Sequence, residues 1–159
     1  MQRFVDRAAE VGFAGLITPD VPLEEAQQVA DAATAVGLKN IMLIAGSTPL
    51  PRCRQIVGLC TGFIYQLATA GITGERDQLA DDLADNLQRL RSVTDLPICV
   101  GFGISTPDHV RQAGRLADGV IVGSAVVRRI TEGLDNDQRH DEIVDSVSAY
   151  VADLIAATS

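Results

Sequence analysis

Five short apolar runs recur along this chain, and a segment with helical periodicity follows each of them. They are spaced about 20 to 35 residues apart, an interval that accommodates one strand and one covering helix. The runs are apolar throughout rather than alternating, which is typical of strands covered by helices. This alternation predicts an α/β fold with about five parallel strands joined by right-handed helical crossovers. The runs occupy residues 15–18, 40–45, 62–68, 96–100 and 118–122.

Helix boundary signals lie between the apolar runs. Pro22 suits a first helical position, and Gly37 is a natural end for the segment that follows it. A shorter helix is expected at residues 52–59. Leucines spaced by four, four and three residues from Leu79 to Leu90 mark another helix and its buried face.

The last two apolar runs end in glycine corners. Gly101 and Gly103 flank Phe102 after one run, and Gly123 is followed directly by Ser124 after the next. Glycine lets the backbone approach an anion closely, and the N–H groups at the start of the following helix point towards it. In (β/α)8 barrels the loops after the last two strands often form a phosphate site of this kind. The paired corners therefore predict a phosphorylated substrate.

Composition narrows the class of protein. The chain has 159 residues, of which 47% are hydrophobic, enough to bury the core of one domain. Its net charge of −8 argues against nucleic acid as a partner, and no apolar run approaches the length of a membrane span. Charged residues near the start, including Arg3 and Asp6, argue against export, so we expect a cytoplasmic location. The three cysteines lack metal-type spacing and are expected to be reduced packing residues.

The motifs also resemble a known family. The segments at residues 14–22, 71–76, 100–107 and 117–125 match, in order and spacing, those of the tryptophan synthase α subunit, which is a (β/α)8 barrel. The resemblance covers essentially the whole chain and aligns it with the family's fourth to eighth strands. A complete barrel takes about 250 residues. The resemblance therefore implies a partial (β/α)8 TIM barrel, in which residues 1–159 form a single, incomplete domain that lacks the first three βα units.

The resemblance implies a specific function. Family members are lyases of tryptophan biosynthesis that cleave indole-3-glycerol phosphate to indole and glyceraldehyde 3-phosphate. They pass indole to a β subunit that carries pyridoxal phosphate, so this chain is expected to need no cofactor and to have that substrate and that subunit as partners. The matching site residues comprise phosphate ligands, pocket or loop residues, and one position tied to communication with the partner. The phosphate ligands are Gly74, Gly103, Gly123 and Ser124. The pocket or loop residues are Tyr65, Thr73 and Phe102, and the partner-communication position is Asp20.

The resemblance does not supply catalytic acids. Retro-aldol cleavage needs general acid and base groups on either side of the scissile bond. In the family these are a glutamate and an aspartate in the first three strands and their loops, and no residue here matches either. The chain is therefore expected to keep the phosphate-binding half of a lyase and to lack activity alone. Asp20 is interpreted as a turn acid that bonds local backbone N–H groups rather than as a catalytic residue.

Two other interpretations stay open from the sequence. One is a non-catalytic phosphate-binding or interaction module derived from the barrel, with open strand edges available to a partner. The other is a different phosphate-binding barrel enzyme of tryptophan or histidine biosynthesis, against which the loop at residues 72–76 argues. His109 is expected at the surface or in a helix cap. Asp81, Asp82 and Asp85 are expected to form a solvated helix face rather than a metal site.

Overall fold

Helices and strands alternate along the chain, as the apolar runs predict. The computed structural model describes residues 1–68 and 82–158. In these residues the strands are β1 (Gly15–Ile17), β2 (Lys39–Ile41), β3 (Leu43–Ile44), β4 (Ile64–Leu67), β5 (Ile98–Gly101) and β6 (Gly119–Ile121). The helices are α1 (Gln2–Glu10), α2 (Leu23–Ala35), α3 (Leu50–Val57), α4 (Leu83–Arg91), α5 (Pro107–Gly114), α6 (Ser124–Asp135) and α7 (His140–Ala156).

Every strand pairing in the described part of the chain is parallel. β1 pairs with β2, and the other strands form a sheet in the order β3, β4, β5, β6. Neighbours in this sheet are consecutive in the sequence, and a helix connects each one to the next. The predicted α/β class with parallel strands and covering helices is therefore confirmed.

The apolar run at residues 40–45 differs from the single strand that its sequence predicts. It forms two segments, β2 and β3, interrupted at Met42, and the two halves have different neighbours. The carbonyl of Ile41 accepts from the Thr18 N–H at 3.1 Å, whereas the carbonyl of Met42 accepts from the Tyr65 N–H at 3.1 Å. The run thus changes partner along its length, which is the stagger that strands show in a barrel.

Buried side chains form a large core and a small one. The large core lies between β3–β6 and their helices, where Ile64, Ile98 and Val100 have no exposed surface. The opposite face of this sheet is only half-buried, as Leu67 and Cys99 show. The small core joins α1 to the end of α2 and consists of Val5, Ala8, Ala33 and Leu38.

Helix boundaries follow the sequence signals with small shifts. Pro22 is in extended conformation as the N-cap of α2 rather than its first helical residue. α3 begins at Leu50, two residues before the expected start, and Leu79 of the leucine series lies outside the described residues. None of the described helices has the length and apolar character needed to cross a membrane.

The carboxylate of Asp118, the residue before β6, binds the first residue of β5. Asp118 accepts a hydrogen bond from the Ile98 N–H at 2.7 Å and another from the guanidinium of Arg91 at the end of α4. The hydrogen bond from the Ile98 amide holds the pKa of the Asp118 carboxyl below its ordinary value, and the Arg91 guanidinium lowers this pKa further by a smaller amount. This contact fixes the two strands at the end opposite to the glycine corners.

Candidate functional site

A cleft of about 270 Å³ opens where β4, β5 and β6 end. Both glycine corners line it, because β5 and β6 are parallel neighbours whose carboxyl ends meet at one edge of the sheet. The structure thus brings together five of the residues that the sequence singles out. The lining consists of Tyr65, Phe102, Gly103, Ile104, Ser105, Ile121, Gly123, Ser124, Ala125 and Arg128.

The first corner, residues 101–106, has a constrained backbone. Phe102 and Gly103 are both left-handed, with φ of 72° and 78°. This conformation costs a non-glycine residue about 1–2 kcal/mol. The Phe102 ring lies edge-on to Tyr65, with ring centroids 6.0 Å apart. A side chain at Gly101 would place its Cβ only 2.2 Å from the Tyr65 hydroxyl oxygen, so this glycine leaves room for the phenol.

The phenol of Tyr65 stays protonated near neutral pH. Burial raises its pKa above the ordinary value, and a hydrogen bond from the backbone of Phe102 opposes this only in part. Tyr65 can therefore donate a hydrogen bond into the cleft but is a poor general base.

Side chains close the helix start that follows the first corner. Thr106 is the N-cap of α5, and its hydroxyl accepts from the backbone N–H of His109 at 3.2 Å. His109 is buried, so the expected surface position was wrong, while its amide does take part in the cap. The Tyr150 hydroxyl on α7 donates to the Ser105 carbonyl at 2.7 Å.

The second corner leaves its helix start open. Gly123 is the N-cap of α6, and no side chain caps this helix. The first bonds of the helix run from the N–H groups of Val126 and Val127 to the Gly123 carbonyl, so the amides of Ser124 and Ala125 precede them and have no acceptor within the helix. A Cβ built at Gly123 meets no atom of the described residues within 4 Å. The start of α6 therefore presents N–H donors to open space, which suits an anion.

Arg128 is a cleft residue that the sequence reasoning missed. It lies one helical turn after Ser124, on the same side of α6. Among the described lining residues it is the only one with a charged side chain. The i to i+4 spacing from Ser124 was the signal that could have found it.

The remaining candidate residues lie elsewhere. Gly74 and Thr73 fall outside the described residues. Asp20 is exposed in the turn after β1 and does not line the cleft. No hydrogen bond or ion pair joins its carboxylate to another residue of 1–68 or 82–158, so the expected bond to local backbone N–H groups is not found there.

Neither thiol chemistry nor a metal cluster competes with this cleft in the described residues. Cys53, Cys60 and Cys99 are free thiols, and burial raises the pKa of each above its ordinary value. No group of three or more histidine, cysteine or carboxylate side chains in residues 1–68 and 82–158 is arranged to hold a metal ion.

The fold and the cleft together define a class of protein. This is a parallel β/α protein of barrel type, with an anion-suited cleft at the carboxyl ends of its last strands. The family model described as tryptophan synthase alpha chain matches residues 1–158. The chain therefore belongs to the tryptophan synthase α chain family, as its motifs indicate.

Relatives from different organisms agree with this assignment. The tryptophan synthase alpha chain of Chloroflexus aggregans is 45% identical over 158 residues, and that of Picosynechococcus is 48% identical over 131 residues. These alignments cover 99% and 82% of this chain but only 57% and 50% of the relatives. The chain thus spans little more than half the length of the curated relatives it matches.

Solved structures give the same correspondence in space. A chain of Mycobacterium tuberculosis tryptophan synthase superposes with a TM-score of 0.83 at 34% identity, covering 99% of this chain and 56% of that one. A Pyrococcus furiosus mutant tryptophan synthase α subunit superposes with a TM-score of 0.82 at 29% identity, covering 98% and 60%. The described strands and helices therefore have the arrangement of part of a tryptophan synthase α barrel.

Proposed function

We propose that this chain binds the phosphate end of indole-3-glycerol phosphate for the tryptophan synthase α reaction and that it releases no indole on its own. The observation that carries the proposal is the uncapped start of α6, which faces a cleft shared with the β5 corner. A phosphate dianion is the ligand that such donors and the Arg128 guanidinium suit best.

Each part of the cleft has a role in this proposal. The amides at Gly103, Gly123 and Ser124 donate to the phosphate oxygens, and the Ser124 hydroxyl adds a further donor. Gly74 and Thr73, which lie outside the described residues, are proposed as a further phosphate ligand and a further substrate-loop residue. Tyr65 and Phe102 form an apolar wall for the carbon skeleton of the substrate.

The absence of turnover follows from proton transfer. Retro-aldol cleavage needs an acid and a base beside the scissile bond. No described residue that lines the cleft carries a carboxyl group, and burial raises the pKa of the Tyr65 phenol, so it is not a base near neutral pH. The proposal therefore separates binding, which this chain performs, from chemistry, which needs carboxylates at the same cleft.

The proposal also includes a partner. A β subunit that carries the pyridoxal phosphate is the expected recipient of indole, so the α-type chain itself requires no cofactor. The exposure of the Asp20 side chain is compatible with a role in contacting that partner. Asp20 lies at the carboxyl end of β1, the same end of the fold as the cleft.

Amide resonances test the binding half of the proposal. Titration of the ¹⁵N-labelled chain with glycerol 3-phosphate should shift the amides of Gly103, Gly123 and Ser124, while glycerol at the same concentration should not. Gly12 and Gly37, which follow α1 and α2 and do not line the cleft, are internal controls. Unshifted amides in a folded sample would contradict the phosphate seat.

An indole assay tests the other half. Indole-3-glycerol phosphate should bind more tightly than glycerol 3-phosphate, because its ring adds apolar contact, yet no indole should form. Measurable turnover by the purified chain would refute the claim that it lacks the catalytic acids. Equal affinity for both ligands would favour a phosphate-binding module without a lyase substrate.

A further inference from the structure

We propose that Tyr150 is a positioning residue that holds the two glycine corners in the relative placement a phosphate group requires. The inference rests on the proposed function, because it concerns the same cleft. Tyr150 lies on α7 and does not line the cleft, so any effect on binding has to pass through other residues.

The first contact of Tyr150 is with the β5 corner. Its side chain is 7% exposed, and its hydroxyl donates to the Ser105 carbonyl at 2.7 Å across 45 residues of sequence. Ser105 lies between left-handed Gly103 and the N-cap Thr106, in the segment that lines the cleft. The Ser105 carbonyl oxygen is therefore directed towards a donor that lies outside the cleft.

The direction of this carbonyl affects how well the cleft can bind an anion. A carbonyl oxygen turned towards a phosphate would repel it, whereas an N–H attracts it. Because the peptide unit is planar and trans, fixing the direction of the Ser105 carbonyl also fixes the direction of the Thr106 N–H. The Tyr150 hydroxyl therefore sets the orientation of a backbone segment at the edge of the phosphate seat.

The second contact of Tyr150 is with the helix of the other corner. The guanidinium carbon of Arg129, on α6, lies 4.1 Å from the centroid of the Tyr150 ring. Such a cation–π contact restrains both groups. One buried side chain thus touches the segment after β5 with its hydroxyl and α6 with its ring face.

Placement of this kind decides hydrogen-bond strength. Donor–acceptor distances of 2.7–3.2 Å are needed for a good N–H···O bond, so a shift of about 1 Å between the corners would break some of the bonds to the same phosphate. A phenylalanine at position 150 would fill the same space without holding Ser105.

The test compares Tyr150→Phe with Ser92→Ala. Both variants lose one hydroxyl-to-carbonyl hydrogen bond, but Ser92 bonds to Arg89 at the exposed end of α4, away from the cleft. We expect Tyr150→Phe to weaken glycerol 3-phosphate binding to the folded protein roughly fivefold, whatever its urea midpoint relative to that of Ser92→Ala. Binding by Ser92→Ala should match the unchanged chain. A purely structural role for Tyr150 would instead lower the urea midpoint and leave the affinity of the folded protein unaltered.

A second variant addresses the ring contact and guards against misfolding. Arg129→Gln should weaken binding by at least about twofold relative to Arg115→Gln, which removes the same charge from the end of α5. If Tyr150→Phe does not fold, this pair decides, and equal affinities overturn the inference. If all folded variants bind as the unchanged chain does, the inference fails and the proposed function stands. If the unchanged chain binds no glycerol 3-phosphate, both fail.

Discussion

The two glycine corners share a sequence pattern but are finished differently. After β5, the chain turns through two left-handed residues, the hydroxyl of Thr106 caps α5, and Tyr150 holds the carbonyl of Ser105. After β6, the N-cap Gly123 has no side chain to cap α6, and the first amides of this helix face the cleft. The first corner therefore has a backbone fixed by its own hydrogen bonds, whereas the second leaves the N–H groups at the start of its helix without an acceptor in the helix.

The difference traces to the residue at each N-cap. Threonine at position 106 carries an oxygen that accepts from the N–H of His109, so one donor of α5 is already used. Glycine at position 123 has no such oxygen and leaves the space beside it empty. An anion is therefore expected to take its helix-dipole contact from α6 rather than from α5.

Gly101→Ala should have the largest effect, and it should act on the first corner. Its methyl group would lie 2.2 Å from the Tyr65 hydroxyl, so the phenol or β5 has to move. We expect a loss of about 2–3 kcal/mol in the free energy of unfolding, as for overpacking in a core. Urea denaturation followed by circular dichroism measures it. A loss below about 0.5 kcal/mol would show that Tyr65 rearranges without cost.

Gly123→Ala, at the second corner, should cost little stability but should weaken phosphate binding. Open space surrounds the new methyl group, so the unfolding free energy should fall by less than about 1 kcal/mol, the cost of a poorer N-cap. The methyl group would enter the proposed phosphate seat, so glycerol 3-phosphate should bind about tenfold more weakly, as measured by calorimetry. Gly114→Ala, also into open space but on α5, is the matched control and should bind normally.

At position 102 glycine should give a more stable protein than alanine, because the backbone of Phe102 is left-handed. Phe102→Ala and Phe102→Gly both remove the ring contact with Tyr65, but only alanine keeps the cost of the left-handed conformation. Phe102→Gly should therefore be the more stable variant by about 1 kcal/mol in thermal unfolding. If alanine were the more stable of the two, the corner would have relaxed to another conformation.

A substitution at Asp118 tests whether the N-terminal ends of β5 and β6 influence phosphate binding at the glycine corners. The pKa of Asp118 is depressed in the folded chain, so it contributes stability above the ordinary carboxyl pKa of about 4, and this contribution is lost as the pH falls through the folded value. Because the carboxylate is partly exposed, Asp118→Asn should cost only about 1 kcal/mol at pH 7. Once the pH falls below the depressed folded pKa of Asp118, the unfolding curves of the two proteins should converge. Glycerol 3-phosphate affinity should not change, and a weakened affinity would show that the strand starts position the cleft.

The sequence predicts what depends on local pattern. The apolar runs predict parallel strands, and the two glycine corners meet at one cleft because β5 and β6 are neighbours. The break at Met42 was missed, since it arises when one run pairs with two different neighbours rather than from any local residue preference. Tyr150 was missed for a related reason, because its contact with Ser105 spans 45 residues. His109 looked exposed because a polar residue near a helix start usually is, but α5 turns it inward beside Val110.

The division into a large and a small core has a consequence for how the molecule opens. The small core has four buried residues, and among the described strands β1 pairs with β2 alone. Local unfolding free energies scale with such contacts, so this end should form its own cooperative unit of low stability. Hydrogen–deuterium exchange should therefore release α1 and β1 well before β4 and β5, while the cleft-bearing remainder stays intact.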